Sequence, residues 1–406
     1  MVFFDFRTSF SCISSVGVRI FLLGIAIILV ALTIIPVRAG NPFVTPSGAV
    51  YFWPSCENMY QIDTGTLGPY SEKIAQELVI RAFTEWSTIR YSKMTWTFGN
   101  TLTSKPSPEA LLHYMQKLLD SRPEQAENYH NAVIFDTDGS FIDFYQGEGA
   151  SNYVLGFSTP ICMNTGEILG SVAVINGKIL TGESGEIQEL YVTILHEIGH
   201  FIGLGHSQLY HEFAFDDDPY NNLFLPVMFP IAPTDGVNPM SLSQDDKVTL
   251  ASLYSTEEFR TRLGTISGSV FRPYGAPVQG ANVVAVNVKD PYVNAFSVVS
   301  DLEKMNTGEF TFSGLPKGTY ELFIEPILPD FVGVSSVGPF SLDANSPSFI
   351  NPVEKEYYNG ERESGSRISD HAEDRELITV EEGMTVTGID LISNEENTGV
   401  HEWPLF

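Results

Sequence analysis

The chain has 406 residues and a formal net charge of −28. A charge of that size and sign repels nucleic acid and anionic lipid, and excludes both as partners of the folded protein. With 43% hydrophobic and only 18% charged residues, wholesale disorder is excluded too, and the length suffices for two domains with separate cores.

The N-terminus reads as an export signal. Arg7 and Arg19 accompany an apolar run from Ile20 to Ile35, and Val37 and Ala39 are the small residues that a signal peptidase reads. The run is short for a membrane span. Residues 1–39 are therefore expected to be removed, leaving a secreted protein with no membrane contact; a retained membrane anchor is the alternative. Cys12 would leave with this segment. Cys56 and Cys162 then remain as the one pair for which an oxidising compartment allows a disulfide.

A strand is predicted from Val50, followed by a turn through Gly65 and Gly68. Ser71 is a good N-cap for a helix that lines up Ala75, Leu78, Val79, Ala82, Phe83 and Trp86 on one face. Thr95 to Phe98 reads as a strand, and an amphipathic helix around Ala110 to Leu119 sits in an insertion. Ala132 to Phe135 reads as a buried strand. It leads into a loop where Asp136, Asp138 and Asp143 could hold calcium through hard oxygen ligands, against the plainer reading of an Asp-Gly turn. Ser171–Ile175, Asn176-Gly177 and Lys178–Leu180 are expected to form a hairpin whose edge could add a substrate peptide to the sheet.

The run His196-Glu197-Ile198-Gly199-His200-Phe201-Ile202-Gly203-Leu204-Gly205-His206 follows on a helix predicted over Ile187 to Leu204. His196 and His200, four residues apart, project from one helical face toward one ion. Gly203 can adopt a backbone conformation that ends the helix and turns the chain, so that His206 arrives as third ligand. Three protein ligands and an open fourth position are the catalytic form of a zinc site. Glu197 stands beside the first ligand, where its carboxylate can act on water. His211 is a rival third ligand, but its spacing needs a different loop. An acidic loop through Asp216 to Asp218 comes next and reads as solvated. Ser243 to Asp246 reads as a capping box that opens a helix through Tyr254.

Beyond Leu263 the pattern changes to short alternating strands with turn residues between them, as expected of a small antiparallel sandwich. From Asn351 acidic residues far outnumber basic ones, and a solvated segment with one strand at Thr385 to Leu391 is expected.

The run His196 to His206 resembles the metzincin zinc metalloproteases. Ser207 and Val227-Met228-Phe229-Pro230 look like the matrixin branch, of a bacterial type. The resemblance implies an α+β catalytic domain over residues 48–260, a mixed twisted sheet carrying the zinc-site helix. It makes His196, His200 and His206 the ligands of Zn2+, Glu197 the general base, and Met228 the methionine of a turn beneath the metal. The chain departs from the pattern in its long stretch between His206 and Met228, and in having no cysteine-latch propeptide; Cys56 has no latch motif around it. Residues 264–350 resemble, less specifically, the carboxypeptidase regulatory-like sandwich, with 351–406 as an acidic C-terminal segment. The expected function is a secreted zinc metalloendopeptidase acting on protein or peptide substrates. The alternatives are an exported binding or adhesion protein that keeps zinc for structure, and a surface module whose sandwich binds protein or carbohydrate.

Overall fold

The computed structural model describes residues 2–3, 40–121, 129–216, 218–232, 239–303, 305–327, 353–366 and 370–394. Apart from Val2 and Phe3, the expected export segment, Cys12 included, lies outside the described residues, as do Asp217 and His401. Among the described residues no helix is long and apolar enough to cross a membrane.

The protein is a mixed α/β structure with several sheets. The first sheet contains β1 (Glu57–Ile62), β2 (Thr95–Thr101), β3 (Ala132–Asp136), β4 (Gly156–Cys162) and β5 (Ile168–Asn176), in the order β2-β1-β3-β5-β4. Four strands run parallel and β4, at one edge, is antiparallel to β5. Side chains alternate across a strand, so β3 and β5 feed two cores. Val133, Phe135, Ala173 and Ile175 face α1 (Glu72–Ser87) and α4 (Glu186–Ile202). Ala132, Ile134, Val172 and Val174 face α2 (Pro108–Ser121) and α3 (Ser140–Gln146). Coverage on both faces explains why β3 is buried throughout, with four apolar residues in a row rather than an alternation. The expected N-cap is present: the Ser71 hydroxyl accepts from Ile74 N, and all six apolar residues of the predicted α1 face are buried.

The hairpin differs from the expected one. β5 pairs back onto β4 through a turn at Met163–Glu167, in which Gly166 has a φ of 85°. Asn176-Gly177 ends β5 without a returning strand. The sheet edge is therefore Gly156–Cys162, not the segment after Gly177.

Two short helices, α5 (Gln244–Leu253) and α6 (Glu257–Arg262), lead into the C-terminal half. There β7 (Ala281–Asn287) lies between β8 (Ala295–Val299) and β10 (Gly318–Pro326), while β6 (Gly264–Phe271) pairs with β9 (Glu309–Leu315). Residues of both sheets share one core, including Ile266, Val270, Val283, Ala285, Phe296, Phe312 and Tyr320. The acidic segment after residue 351 takes part more than its charge suggested. Here β11 (Glu356–Tyr357) and β12 (Ile378–Val380) pair with β10, and β13 (Thr385–Val386) and β14 (Leu391–Ile392) pair with β6. The cause is local: Val353, Ile378, Val380, Ile389 and Leu391 supply apolar side chains to the shared core between exposed acids.

Every residue of β7 is buried. Val283 and Ala285 face the shared core, whereas Val284 and Val286 pack with Leu209, in the loop just after His206. The two halves therefore meet beside the histidine run.

Candidate metal centre

Helix α4 carries His196, Glu197 and His200 in its last two turns, all buried. Gly203 stops it with a φ of 112°, its N–H donating to the carbonyls of Gly199 and His200. The chain turns back, Gly205 N donates to the Asn41 carbonyl at 2.8 Å, and His206 comes to face the helix. One nitrogen each of His196, His200 and His206 lies within 4.8 Å of the others, and these three form a group able to hold a metal ion.

The tautomers follow from hydrogen bonding. A carbonyl can only accept, so His196 Nδ1 donates to Val227 O at 2.7 Å and His200 Nδ1 donates to Leu204 O at 2.8 Å. That leaves the Nε2 lone pair of each ring for a ligand. His200 Nε2 lies 3.0 Å from His206 Nε2. Burial pushes His196 down to about 4 and His200 well below its ordinary range, so both are neutral at pH 7, the metal-binding form. Three buried imidazoles, two of them neutral with fixed tautomers, are a nitrogen donor set that suits zinc or a neighbouring transition metal and does not suit magnesium or calcium.

Glu197 is outside that ligand group. It is 1% exposed, and its Oε2 has no hydrogen-bond partner. Burial raises it to about 8 in the metal-free site; a nearby cation acts in the opposite direction. The Ser158 hydroxyl, on edge strand β4, donates to the Glu197 carbonyl at 2.7 Å. Gly156, on the same strand, passes close enough that a Cβ there would lie 3.2 Å from Glu197 Cγ. The sheet edge thus runs directly alongside the carboxylate.

Met228 is buried beneath α4, its sulfur 2.3 Å from where a Cβ on Gly199 would sit. Asp246 holds this turn in place: its carboxylate accepts from Val227 N, Met228 N and Ser243 N at 2.9, 3.1 and 2.8 Å. Met228 O in turn accepts from Ser207 N at 2.9 Å, tying the turn to the third histidine. The capping box was legible in the sequence, but Asp246's second task was not, since it depends on a backbone brought close only by folding. Asp245 was missed altogether. It accepts from Ser207 Oγ at 2.6 Å and from Ser297 N, in β8, at 3.0 Å. Phe43 was missed as well; its ring stacks on His200 at 5.1 Å.

Three other expectations are corrected or placed elsewhere. Asp136, Asp138 and Asp143 do not come together as a metal-capable group among the described residues; Asp136 accepts from Ile142 N, Asp138 from Ser140 N and Asp143 from Ser151 N. Asp136 and Asp138 in this way open α3, whereas Asp143, inside the helix, holds the turn that follows it. Cys56 and Cys162 stand as separate thiols, not as a disulfide. Cys56 precedes β1 and Cys162 ends β4, three strand positions away. At about 4.8 Å per step that exceeds the roughly 7 Å Cα limit for a bridge. His211 lies away from the trio and pairs with Glu325 at 3.1 Å.

No protein-family model matches this chain, and no curated protein matches it. Among solved structures it is similar to metalloproteinase-II from Bacteroides fragilis, at 13% identity and a TM-score of 0.26, over 55% of this chain and 58% of that one. The chain thus spans little more than half the length of that protein. A likeness this slight supports no inference, so any functional reading rests on the site.

Proposed function

We propose that this protein is a secreted zinc-dependent metalloendopeptidase of the metzincin type, matrixin-like, with a regulatory-like sandwich after the catalytic domain. The carrying observation is a division of labour within α4. His196, His200 and His206 converge as nitrogen donors, while buried Glu197 stays out of the ligand group with one oxygen unpartnered. A structural zinc site has no use for such a carboxylate, and this disfavours the adhesion reading.

Zinc held by the three imidazoles would polarise a scissile carbonyl and lower the pKa of water. The Glu197 carboxylate, buried and with Oε2 unpartnered, would accept a proton from water and pass it to the leaving amine, a general base and then a general acid. Val227 O and Leu204 O keep two of the imidazoles in the right tautomer. Edge strand β4, running past Glu197, is the natural place for an extended substrate to pair.

The test is casein cleavage by Glu197→Gln beside the wild type, with zinc content measured on both. The variant is expected to keep one zinc per chain and lose on the order of 10²–10⁴-fold in rate. Wild-type turnover by Glu197→Gln would overturn the assignment.

A further inference from the structure

Far along the chain from the histidines, three carboxylates converge. Glu356 in β11, Glu363 and Asp370 each place an oxygen within 4.8 Å of the other two. Glu356 and Asp370 are buried and border a surface cavity of about 360 Å³ that Tyr357, His371 and Asn394 also line. Burial first, then repulsion from neighbouring acids, raises Glu356 to about 8; burial raises Glu363 to about 7. The cations near them in sequence are engaged with other carboxylates: Lys355 with Glu212 and Glu325, Arg362 with Asp374, Arg375 with Glu321.

Acids crowd in many proteins, so the amides beside them matter more. Asn359 is 2% exposed and Asn394 9%. Asn359 Nδ2 donates to Asp370, and Asn394 Nδ2 donates to Glu356, so both amides touch the cluster. The Oδ1 of each has no hydrogen-bond partner. A buried amide oxygen without a donor is costly. An amide's two ends occupy nearly the same space, and a half-turn of either group points that oxygen into the carboxylates. Oxygens facing oxygens need a proton or a cation between them, and a cation satisfies all of them at once.

We propose that Glu356, Glu363 and Asp370, with the amide oxygens of Asn359 and Asn394, bind a hard divalent cation of the calcium type. All the donors are oxygen, which selects against zinc and copper. Five protein groups, with carboxylates free to bind through one oxygen or two, suit the six to eight ligands of calcium. Magnesium keeps several waters and is served poorly by so many protein donors. The ion would clamp the segments that the acidic stretch adds to the sheets. Glu363 already accepts from Asn359 N and Ile392 N, and Asp370 from Ser364 N.

The site is separate from the zinc reading, and so is its test. Full-length protein stripped of metal is titrated with terbium, whose luminescence Tyr357 at the cavity would sensitise, and the signal is then competed with calcium. One calcium-displaceable site per chain is expected. It should weaken about tenfold or more in Glu356→Gln/Asp370→Asn and persist in His196→Ala/His200→Ala. Glu356→Gln alone, which keeps an oxygen to accept from Asn394 Nδ2, replaces the double variant should that one fail to fold. A folded wild type that gives no calcium-competed signal overturns the proposal. Equal calcium affinity in the acid-to-amide variants overturns it as well, since the ion would then be bound elsewhere.

Discussion

Gly199→Ala tests how tightly the metal helix rests on the turn beneath it. Inside an ordinary helix this change stabilises by about 1 kcal/mol, because alanine loses less backbone entropy than glycine. Here the new methyl would meet Met228 Sδ at 2.3 Å, Trp86 Cζ2 at 2.9 Å and Met228 Cε at 3.1 Å. Neither neighbour can swing freely. Trp86 is fully buried and donates from Nε1 to Leu195 O at 2.9 Å, and the Met228 backbone is bonded to Asp246. Overpacking of this kind costs about 1–3 kcal/mol, and two obstructed neighbours place it near the top of that range. Subtracting the propensity gain leaves a net loss of about 2 kcal/mol in denaturant unfolding of the metal-free protein. Displacing Met228 also drags Val227 O, the acceptor for His196 Nδ1, so zinc affinity should fall by about 10–100-fold. In a Met228→Ala background, where two of the three close contacts are gone, the same substitution should cost far less than in the wild type. A Gly199→Ala protein that is more stable than wild type and binds zinc equally well would refute the close packing described here.

Asp246→Ala leaves the N–H groups of Val227, Met228 and Ser243 without their charged acceptor. A loss of about 3–5 kcal/mol is expected in urea unfolding, and one below about 1 kcal/mol would mean that the turn stands without it. Asp245 gives a pH signature. Burial raises its folded-state value to about 7 from an ordinary 3.8, so the folded protein holds that proton more tightly than the unfolded chain. Its contribution to stability is complete below about pH 4 and is lost as pH rises through about 7. Asp245→Asn should therefore gain on wild type across that window by a few kcal/mol. A stability difference between the two that stays constant from pH 4 to 8 would contradict this assignment.

What the sequence made legible was local. The histidine run is readable because one helix and one turn set the three rings, and Gly203 marks where the turn falls. Ser71 and Ser243 are readable because an N-cap acts within three residues. The failures share a cause, which is that partners distant in sequence decided the outcome. Asn176-Gly177 has the composition of a hairpin turn, but Gly177 N donates to Asp136 O in the neighbouring parallel strand, and the chain leaves the sheet there. The working turn, Met163 to Glu167, carried its own signal in Asn164-Thr165-Gly166. Three aspartates in eight residues suggested calcium, yet each turns an oxygen to a backbone N–H of its own loop and the three do not converge.

The long stretch between His206 and Met228 is explained by what it touches. Leu209 packs with Val284, Val286, Ala295 and Phe323. The Gln208 carbonyl accepts from Asn282, Tyr210 donates to Pro291 O, and His211 pairs with Glu325. Much of the added length is therefore used to dock the C-terminal sheets rather than to edge the metal site. Asp245 extends the connection, with Ser207 beside the third histidine on one side and Ser297 of β8 on the other. Asn41 does the same from the N-terminal side, its carbonyl taking Gly205 N and its side chain taking Val299 N at 2.9 Å. Polar groups buried at such a junction are costly to separate, so the chain boundary near residue 264 is not an energetic one. The position of His206 is set jointly by α4 and by a sheet that begins more than fifty residues later.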